Sequence, residues 1–246
     1  MRSLTFAMNL VQGPLPIPPP YTEIYHVSGN KLSGEISPLI CNMSFLVYLD
    51  LSNNKLSGMI PLCLGNFSDY LQVLNLGNNS FQGYLPLAYS KRSNLRVIDV
   101  SHNQLQGQLP RSLENCVMLE FLILSNNKFS DVFPFWLGCL PELKVLAMRY
   151  NEFHGVIGKP QSNHCFPNLG IFDLSYNNFS GVERYYSRIQ EAFAAIDTSS
   201  NRFERKIHEF IGKLKGLRSL DISNNNLTGS IPSFLGNLAL LESLEL

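Results

Sequence analysis

Residues Tyr48–Pro61 read YLDLSNNKLSGMIP, and the whole chain is built on returns of this stretch. Aligned on Asn54, the same slot is filled by Asn30, Asn79, Asn103, Asn127, Asn151, Asn177, Asn201 and Asn225. Seven of the eight steps between these asparagines are 24 or 25 residues, and the step from Asn151 to Asn177 is 26. Apolar residues stand five and three places before the asparagine, as in Leu49 and Leu51, Leu74 and Leu76, Ile98 and Val100, or Leu122 and Leu124. Two places after it comes Leu or Phe throughout, from Leu56 and Phe81 to Phe203 and Leu227.

Spelled out, the pattern is L-x-x-L-x-L-x-x-N-x-L, the leucine-rich-repeat template. Apolar residues that alternate with polar ones have the period of a half-buried strand. One such strand cannot bury its face alone, so the repeats stack and their strands pair in parallel, roughly 4.8 Å apart. The asparagine turns inward where the chain leaves the strand. A buried amide needs partners, and its donors and acceptor suit the backbone of its own and the adjoining turn. The predicted fold is therefore an α/β solenoid: a right-handed superhelix with a concave parallel sheet and short helical or 3-10 turns on the convex side.

Composition excludes several classes. Nineteen basic residues balance nineteen acidic ones and only 15% of residues are charged, so no phosphate-binding surface is expected and nucleic acid is not a partner. No run approaches the roughly 18 apolar residues of a membrane span, so this segment itself makes no membrane contact. The opening MRSLTFAMNL has one arginine and an apolar stretch broken by Ser3, Thr5 and Asn9, which makes a poor secretory signal. It reads better as a damaged repeat, with Leu4, Phe6, Asn9, Val11 and Gly13 on template slots. Residues 1–20, which end in the polyproline-like GPLPIPPP, are read as a degenerate partial repeat and Pro-rich segment. Residues 21–246 are read as a solenoid of about nine repeats that ends inside a further one, at Leu244 and Leu246.

Between strands, LSGEI, LSGMIP, FQGYLP, LQGQLP, FSDVFP and LTGSIP place Gly four after the asparagine (Asp131 in one repeat), with Pro seven after it in five of them. Gly relaxes a tight turn and Pro fixes an extended segment. This G-x-I-P extension, with PLPIPPP, PFWLGCLPELKVLAMRYNEFHG and NHCFPNLGIFDLSYNNFSG, resembles the extracellular domains of plant receptor-like proteins. The resemblance implies a cell-surface binding module at the outer face of the plasma membrane, in defence or developmental signalling. It implies a peptide or protein ligand, with a co-receptor as a further option. Such proteins usually carry a long island insertion between the repeats of Asn177 and Asn201, whereas the spacing here is 24. Two other classes stay open: a secreted inhibitor of a wall-degrading enzyme, and a non-signalling remnant of a truncated receptor gene.

No chemistry-bearing constellation competes with the binding reading. The histidines fit no metalloprotease or triad spacing, the five cysteines fit no zinc array, and no cofactor, metal or catalytic residue is expected. An aspartate row (Asp50, Asp99, Asp173, Asp197, Asp221) sits four before the asparagines and reads as the repeat's default surface. Cys41 and Cys63 are 22 residues apart, and Cys116 and Cys139 are 23 apart, so each pair falls on neighbouring turns. Disulfides in an oxidising compartment and reduced core thiols are both open. Cys165 is left over. Asn42, Asn66, Asn78, Asn178 and Asn226 head Asn-x-Ser/Thr sequons, the first two on the convex side and the others near the concave rim.

Most repeats offer Asp, Ser, Asn and Gly on their exposed strand positions. Three successive repeats differ, and Phe121, Ile123, Arg149, Tyr150 and Tyr176 are the candidate ligand-binding residues, because aromatic and Arg side chains dominate binding hot spots. The alternative is that they pack on one another along the ladder. The lengthened stretch 158–167 is expected to overhang one edge of this patch. A different irregularity is expected in the Asn201 repeat, where Thr198 takes a core leucine slot and Arg205 and His208 replace Gly and Pro.

Overall fold

A computed structural model of the chain describes residues 2–66, 69–157, 166–182 and 193–246. It contains two compact units, Met1–Phe129 and Ser130–Leu246. In the first, strands Ser3–Thr5, Ile24–His26, Tyr48–Asp50, Val73–Asn75, Val97–Asp99 and Phe121–Ile123 pair in parallel, each with the next in sequence. In the second, Val145–Ala147, Ile171–Asp173, Ala195–Asp197, Ser219–Asp221 and Ser243–Glu245 do the same. Register follows the repeat: Leu49 meets Leu74, and Phe172 meets Ile196. The middle residue of each interior strand is buried, and its flanking neighbours face outward by the period of two. These are leucine-rich-repeat solenoid units.

The asparagines form the ladder that the template requires. Asn54 Nδ2 donates to the carbonyls of Leu51 and Ser52 in its own turn and of Val27 in the preceding one, at 3.0–3.1 Å. Its Oδ1 accepts from Leu32 N at 3.0 Å. Asn30, Asn79, Asn103, Asn127, Asn177, Asn201 and Asn225 each repeat the inward donation to the residues two and three places before. Asn151 bonds Met148 and Arg149 in the same way. Asn9 donates to Phe6 O and Ala7 O, so the eroded opening segment keeps the motif's turn. Four carbonyl and amide groups are satisfied by one side chain, which is why the slot tolerates so little variation among the repeats.

A second set of parallel strands was not anticipated from sequence. Gln12–Pro14, Lys31–Glu35, Lys55–Met59, Ser80–Gly83, Gln104–Gly107 and Lys128–Phe129 pair in series in the first unit. His154–Val156, Asn178–Val182, Arg202–Arg205 and Asn226–Leu227 pair in the second. The segments expected only as turns and extended connections thus hydrogen-bond from repeat to repeat. In most repeats a Gly at positive φ stands in or just after this strand, at 79° for Gly58 and Gly107. Arg205 takes that slot at φ 74°, a strained choice for a side-chain-bearing residue. Past these strands, 3-10 turns Pro38–Asn42, Leu62–Gly65, Arg111–Asn115, Phe135–Cys139, Glu209–Lys213 and Ser233–Asn237 return the chain. His208, standing where other repeats have Pro, caps Glu209–Lys213 by accepting from Phe210 N at 3.2 Å.

The Asn201 repeat keeps its strand pairing and ladder bonds despite its off-template residues. Ala195–Asp197 pairs on both sides and Asn201 keeps its full set of bonds. The irregularities are the strained Arg205 and Thr198, whose Oγ1 is buried without a hydrogen-bond partner among the described residues, beside a cavity of about 30 Å³ lined by Phe172, Leu174, Phe203 and Leu220. An unsatisfied buried hydroxyl costs on the order of 1–3 kcal/mol. Thr198→Val keeps the shape and removes the hydroxyl, so it is expected to raise the melting temperature by about 2–4 °C. A lower melting temperature in a thermal scan would contradict the assignment.

Cys41 and Cys63 are joined by a disulfide, with Cα atoms 5.9 Å apart. The expected Cys116–Cys139 pair is corrected: both are free thiols. Spacing brings turns together but does not aim side chains. Cys116 is turned into the core of the first unit against Ser93 Oγ at 3.5 Å, and Cys139 is turned out to solvent in the second. Burial pushes the Cys116 thiol up, so little reactive thiolate forms. Alkylation of the native protein near pH 8, followed by peptide mapping, is expected to label Cys139 and spare Cys116 until denaturant is added. Equal labelling of the two would contradict the burial of Cys116. Cys165 lies outside the described residues, as does 158–165, most of the expected overhang.

Candidate functional site

Each strand of the first series from Tyr48–Asp50 to Ser219–Asp221 is followed by a turn residue in the left-handed region. That slot holds Asn53, Asn78, Asn126 and Asn224 at φ 52–57°, with His102 and Ser200 at 52°. Asparagine suits it, because its short polar side chain tolerates positive φ; a bulky residue there is an outlier. Two adjoining repeats of the second unit nevertheless place tyrosine in it: Tyr150 at φ 50° and Tyr176 at φ 52°.

The two rings stack with centroids 4.0 Å apart and planes 20° from parallel. The Arg149 guanidinium carbon lies 4.9 Å from the Tyr150 centroid and 5.1 Å from that of Tyr176. Both rings are at the surface, Tyr150 being 41% and Tyr176 39% exposed, while Arg149 is half-buried. The preceding strand residues extend the patch with Val145 and the exposed Ile171, which are register partners.

Charge around the patch is arranged by the same register. Asp173, Asp197, Asp221 and Glu245 are successive partners across the strands. Burial pulls the Arg149 pKa down, but the Tyr150 hydroxyl and the Asp173 and Asp197 carboxylates outweigh it and hold the group above its ordinary value. Hydrogen bonds to Tyr176 and then to Arg149 hold the Tyr150 phenol below its ordinary range. Burial raises Asp173 against the lowering effect of its bonds from Ser175. Arg149 Nε has no hydrogen-bond partner among the described residues. The guanidinium is thus held within about 5 Å of two rings, with its buried Nε turned away from solvent.

The aspartate row is mostly structural. Asp50, Asp99, Asp173 and Asp221 each accept through Oδ1 from the backbone N and the hydroxyl of the serine two residues on, at 2.6–3.0 Å. Asp197 accepts from Ser199 N alone, at 2.9 Å. These carboxylates fix the turn that carries the left-handed residue, and so they orient Tyr176 indirectly. That role leaves no periodic trace beyond L-D-L-S and was missed in the sequence.

Of the five candidate residues, the structure brings Arg149, Tyr150 and Tyr176 into direct contact. Phe121 and Ile123 belong to the first unit. There they are half-buried and pair in register with Val97 and Asp99, so strand packing accounts for much of their surface. All five sequon asparagines are exposed. Asn78 donates to Asn53 Oδ1 at 2.8 Å, so its amide already has a partner. Among the described residues no group of His, Cys, Asp and Glu could hold a metal ion, and no helix is long and apolar enough to cross a membrane.

Repeat frame, ladder and strand face together define a leucine-rich-repeat protein, and the leucine-rich-repeat family models match residues 69–129, 45–67 and 216–238. Its curated relatives are plant receptor-like proteins. Receptor-like protein 54 of Arabidopsis thaliana is 40% identical over 161 residues, which is 65% of this chain and 20% of that protein. Receptor-like protein 33 of the same plant is 39% identical over 240 residues, 82% of this chain and 27% of that protein. The chain therefore spans about a fifth to a quarter of the length of these relatives. Among solved structures, the Arabidopsis receptor kinase HAESA, in complex with the peptide hormone IDA and the co-receptor SERK1, matches with TM-score 0.86 and 30% identity. That match covers 100% of this chain and 41% of HAESA.

Proposed function

We propose that this chain is a ligand-recognising section of the extracellular region of a plant receptor-like protein. It takes a peptide or protein partner on the solvent face of its first sheet, with Arg149, Tyr150 and Tyr176 as the anchor. A co-receptor is a further partner in this reading, and defence or developmental signalling is the setting. The observation that carries it is the stacked tyrosine pair at two turn positions built for asparagine. Bulky residues at positive φ cost of order 1–3 kcal/mol each, and exposed aromatic surface adds a solubility cost. Local rules are broken in this way mainly where function demands it. The likeness to peptide-hormone receptors supports the class of partner.

The mechanism is recognition without chemistry. Buried leucines and the asparagine ladder hold the strand ends rigid, so the anchor loses little freedom on binding. The rings offer an apolar face, and the guanidinium beside them offers its positive charge to a carboxylate of the partner. The test is selection of a displayed peptide library on the secreted chain, with the Arg149→Ala/Tyr150→Ala/Tyr176→Ala variant as counter-target. Sequences enriched on the parent and lost on the variant are expected. Equal enrichment on both places the site elsewhere.

A further inference from the structure

Along the first unit, three aromatic rings form an exposed row. Tyr21 and Phe45 have centroids 5.9 Å apart, and Phe45 stacks on Tyr70 at 6.4 Å with planes 21° from parallel. They are 70%, 46% and 56% exposed. Each immediately precedes a fully buried core slot, filled by Thr22, Leu46 and Leu71, so the repeat itself sets their spacing. Contiguous aromatic surface of this kind usually has something lying on it.

The chain carries its own cover. Asn42, three residues before Phe45, heads the sequon Asn42-Met43-Ser44, closes the turn Pro38–Asn42, and is exposed. Its neighbour Met43 is buried, which fixes the segment and leaves the amide pointing away from the core. Cys41, on its other side, is tied to Cys63 by the disulfide. That bond fits the oxidising secretory compartment in which N-glycans are added. A pyranose ring presents a face of C–H bonds, and aromatic faces carry partial negative charge that attracts them.

We propose that Asn42 carries an N-linked glycan whose first N-acetylglucosamine units lie against the Tyr21–Phe45–Tyr70 row. The oligosaccharide comes from a lipid-linked diphosphate donor. A bond forms between Asn42 Nδ2 and the anomeric carbon, the bond from that carbon to the diphosphate oxygen breaks, the amide gives up one proton, and the lipid diphosphate leaves. The sugar shields the aromatic row and stiffens the first unit, whatever the partner on the strand face.

The experiment uses the full chain secreted from plant cells, in an Asn66→Gln background so that a single glycan is near the row. Glycopeptide mass spectrometry is expected to find Asn42 occupied. Asn42→Gln is expected to lower the melting temperature by about 2–4 °C, and to leave it unchanged when combined with Phe45→Ser. An unoccupied Asn42, or the same loss in both backgrounds, overturns the proposal. Should Phe45→Ser not fold, proton shifts of the first sugar in the parent decide. Upfield ring-current shifts support the contact, and ordinary solution shifts overturn it.

Discussion

Asn103→Ala is expected to remove on the order of 3–4 kcal/mol of stability. Asn103 is 9% exposed. Its Nδ2 donates to Leu76 O, Val100 O and Ser101 O at 3.0–3.1 Å, and its Oδ1 accepts from Phe81 N at 2.9 Å. Alanine leaves these groups in a space that water enters poorly, and each stranded group costs roughly 1–3 kcal/mol before relaxation. Some of that is recovered, because the carbonyls have second lone pairs and the neighbouring turns can shift. Asn103→Asp is expected to be nearly as damaging, since it keeps the acceptor, loses both donors and adds a charge beside three carbonyls. Denaturant unfolding checks the pair against Gln104→Ala, an exposed neighbour expected to stay within about 0.5 kcal/mol of the parent. A loss below about 1 kcal/mol for Asn103→Ala would mean that the ladder is decoration rather than frame.

Truncating the anchor is expected to act on binding instead. Tyr150→Ala, Tyr176→Ala and Arg149→Ala should each weaken a selected peptide by about 30-fold, the equivalent of a 2 kcal/mol hot spot. The three effects will not add, because the side chains form one unit: removing either ring exposes the other and frees the guanidinium that both hold. Arg149→Lys is an informative fourth variant. A lysine keeps the charge but lacks the planar, delocalised guanidinium that interacts with both rings, so it should recover less than half of the lost binding free energy. Phe121→Ala is expected to cost stability more than affinity, since its ring is half-buried beside Val97. Affinity measured by titration for the five proteins separates these outcomes.

How much of this was legible in the sequence differs by feature, for physical reasons. The strands, their order and the ladder followed from a 24-residue period, because stacking identical units leaves one register that buries every Leu49-type residue. The strand-to-strand contact of Tyr150 with Tyr176 follows from the same period, with one lengthened step between them. The second series of strands did not, since LSGMI carries no alternation and its pairing depends on a glycine conformation at Gly58. Left-handed φ at Tyr150 is invisible in tyrosine itself and visible only in the asparagines that fill the slot elsewhere. Cysteine spacing placed Cys116 and Cys139 on successive turns but said nothing of side-chain direction, which decides whether sulfurs meet. Thr198 was readable as a buried hydroxyl, whereas the regular pairing around it shows how little one side chain disturbs a solenoid whose neighbours keep their bonds.

The central claim is that two tyrosines sit at asparagine positions for the sake of a partner. The most direct measurement is titration of one selected peptide into the parent and into Tyr150→Asn/Tyr176→Asn, with the melting temperature of both proteins. Asparagine relieves the strained backbone, so a functional pair predicts a melting temperature equal to or above the parent's together with at least a roughly 30-fold loss of affinity. Affinity within twofold of the parent, accompanied by a lower melting temperature, would make the stacked rings a packing device and contradict the account.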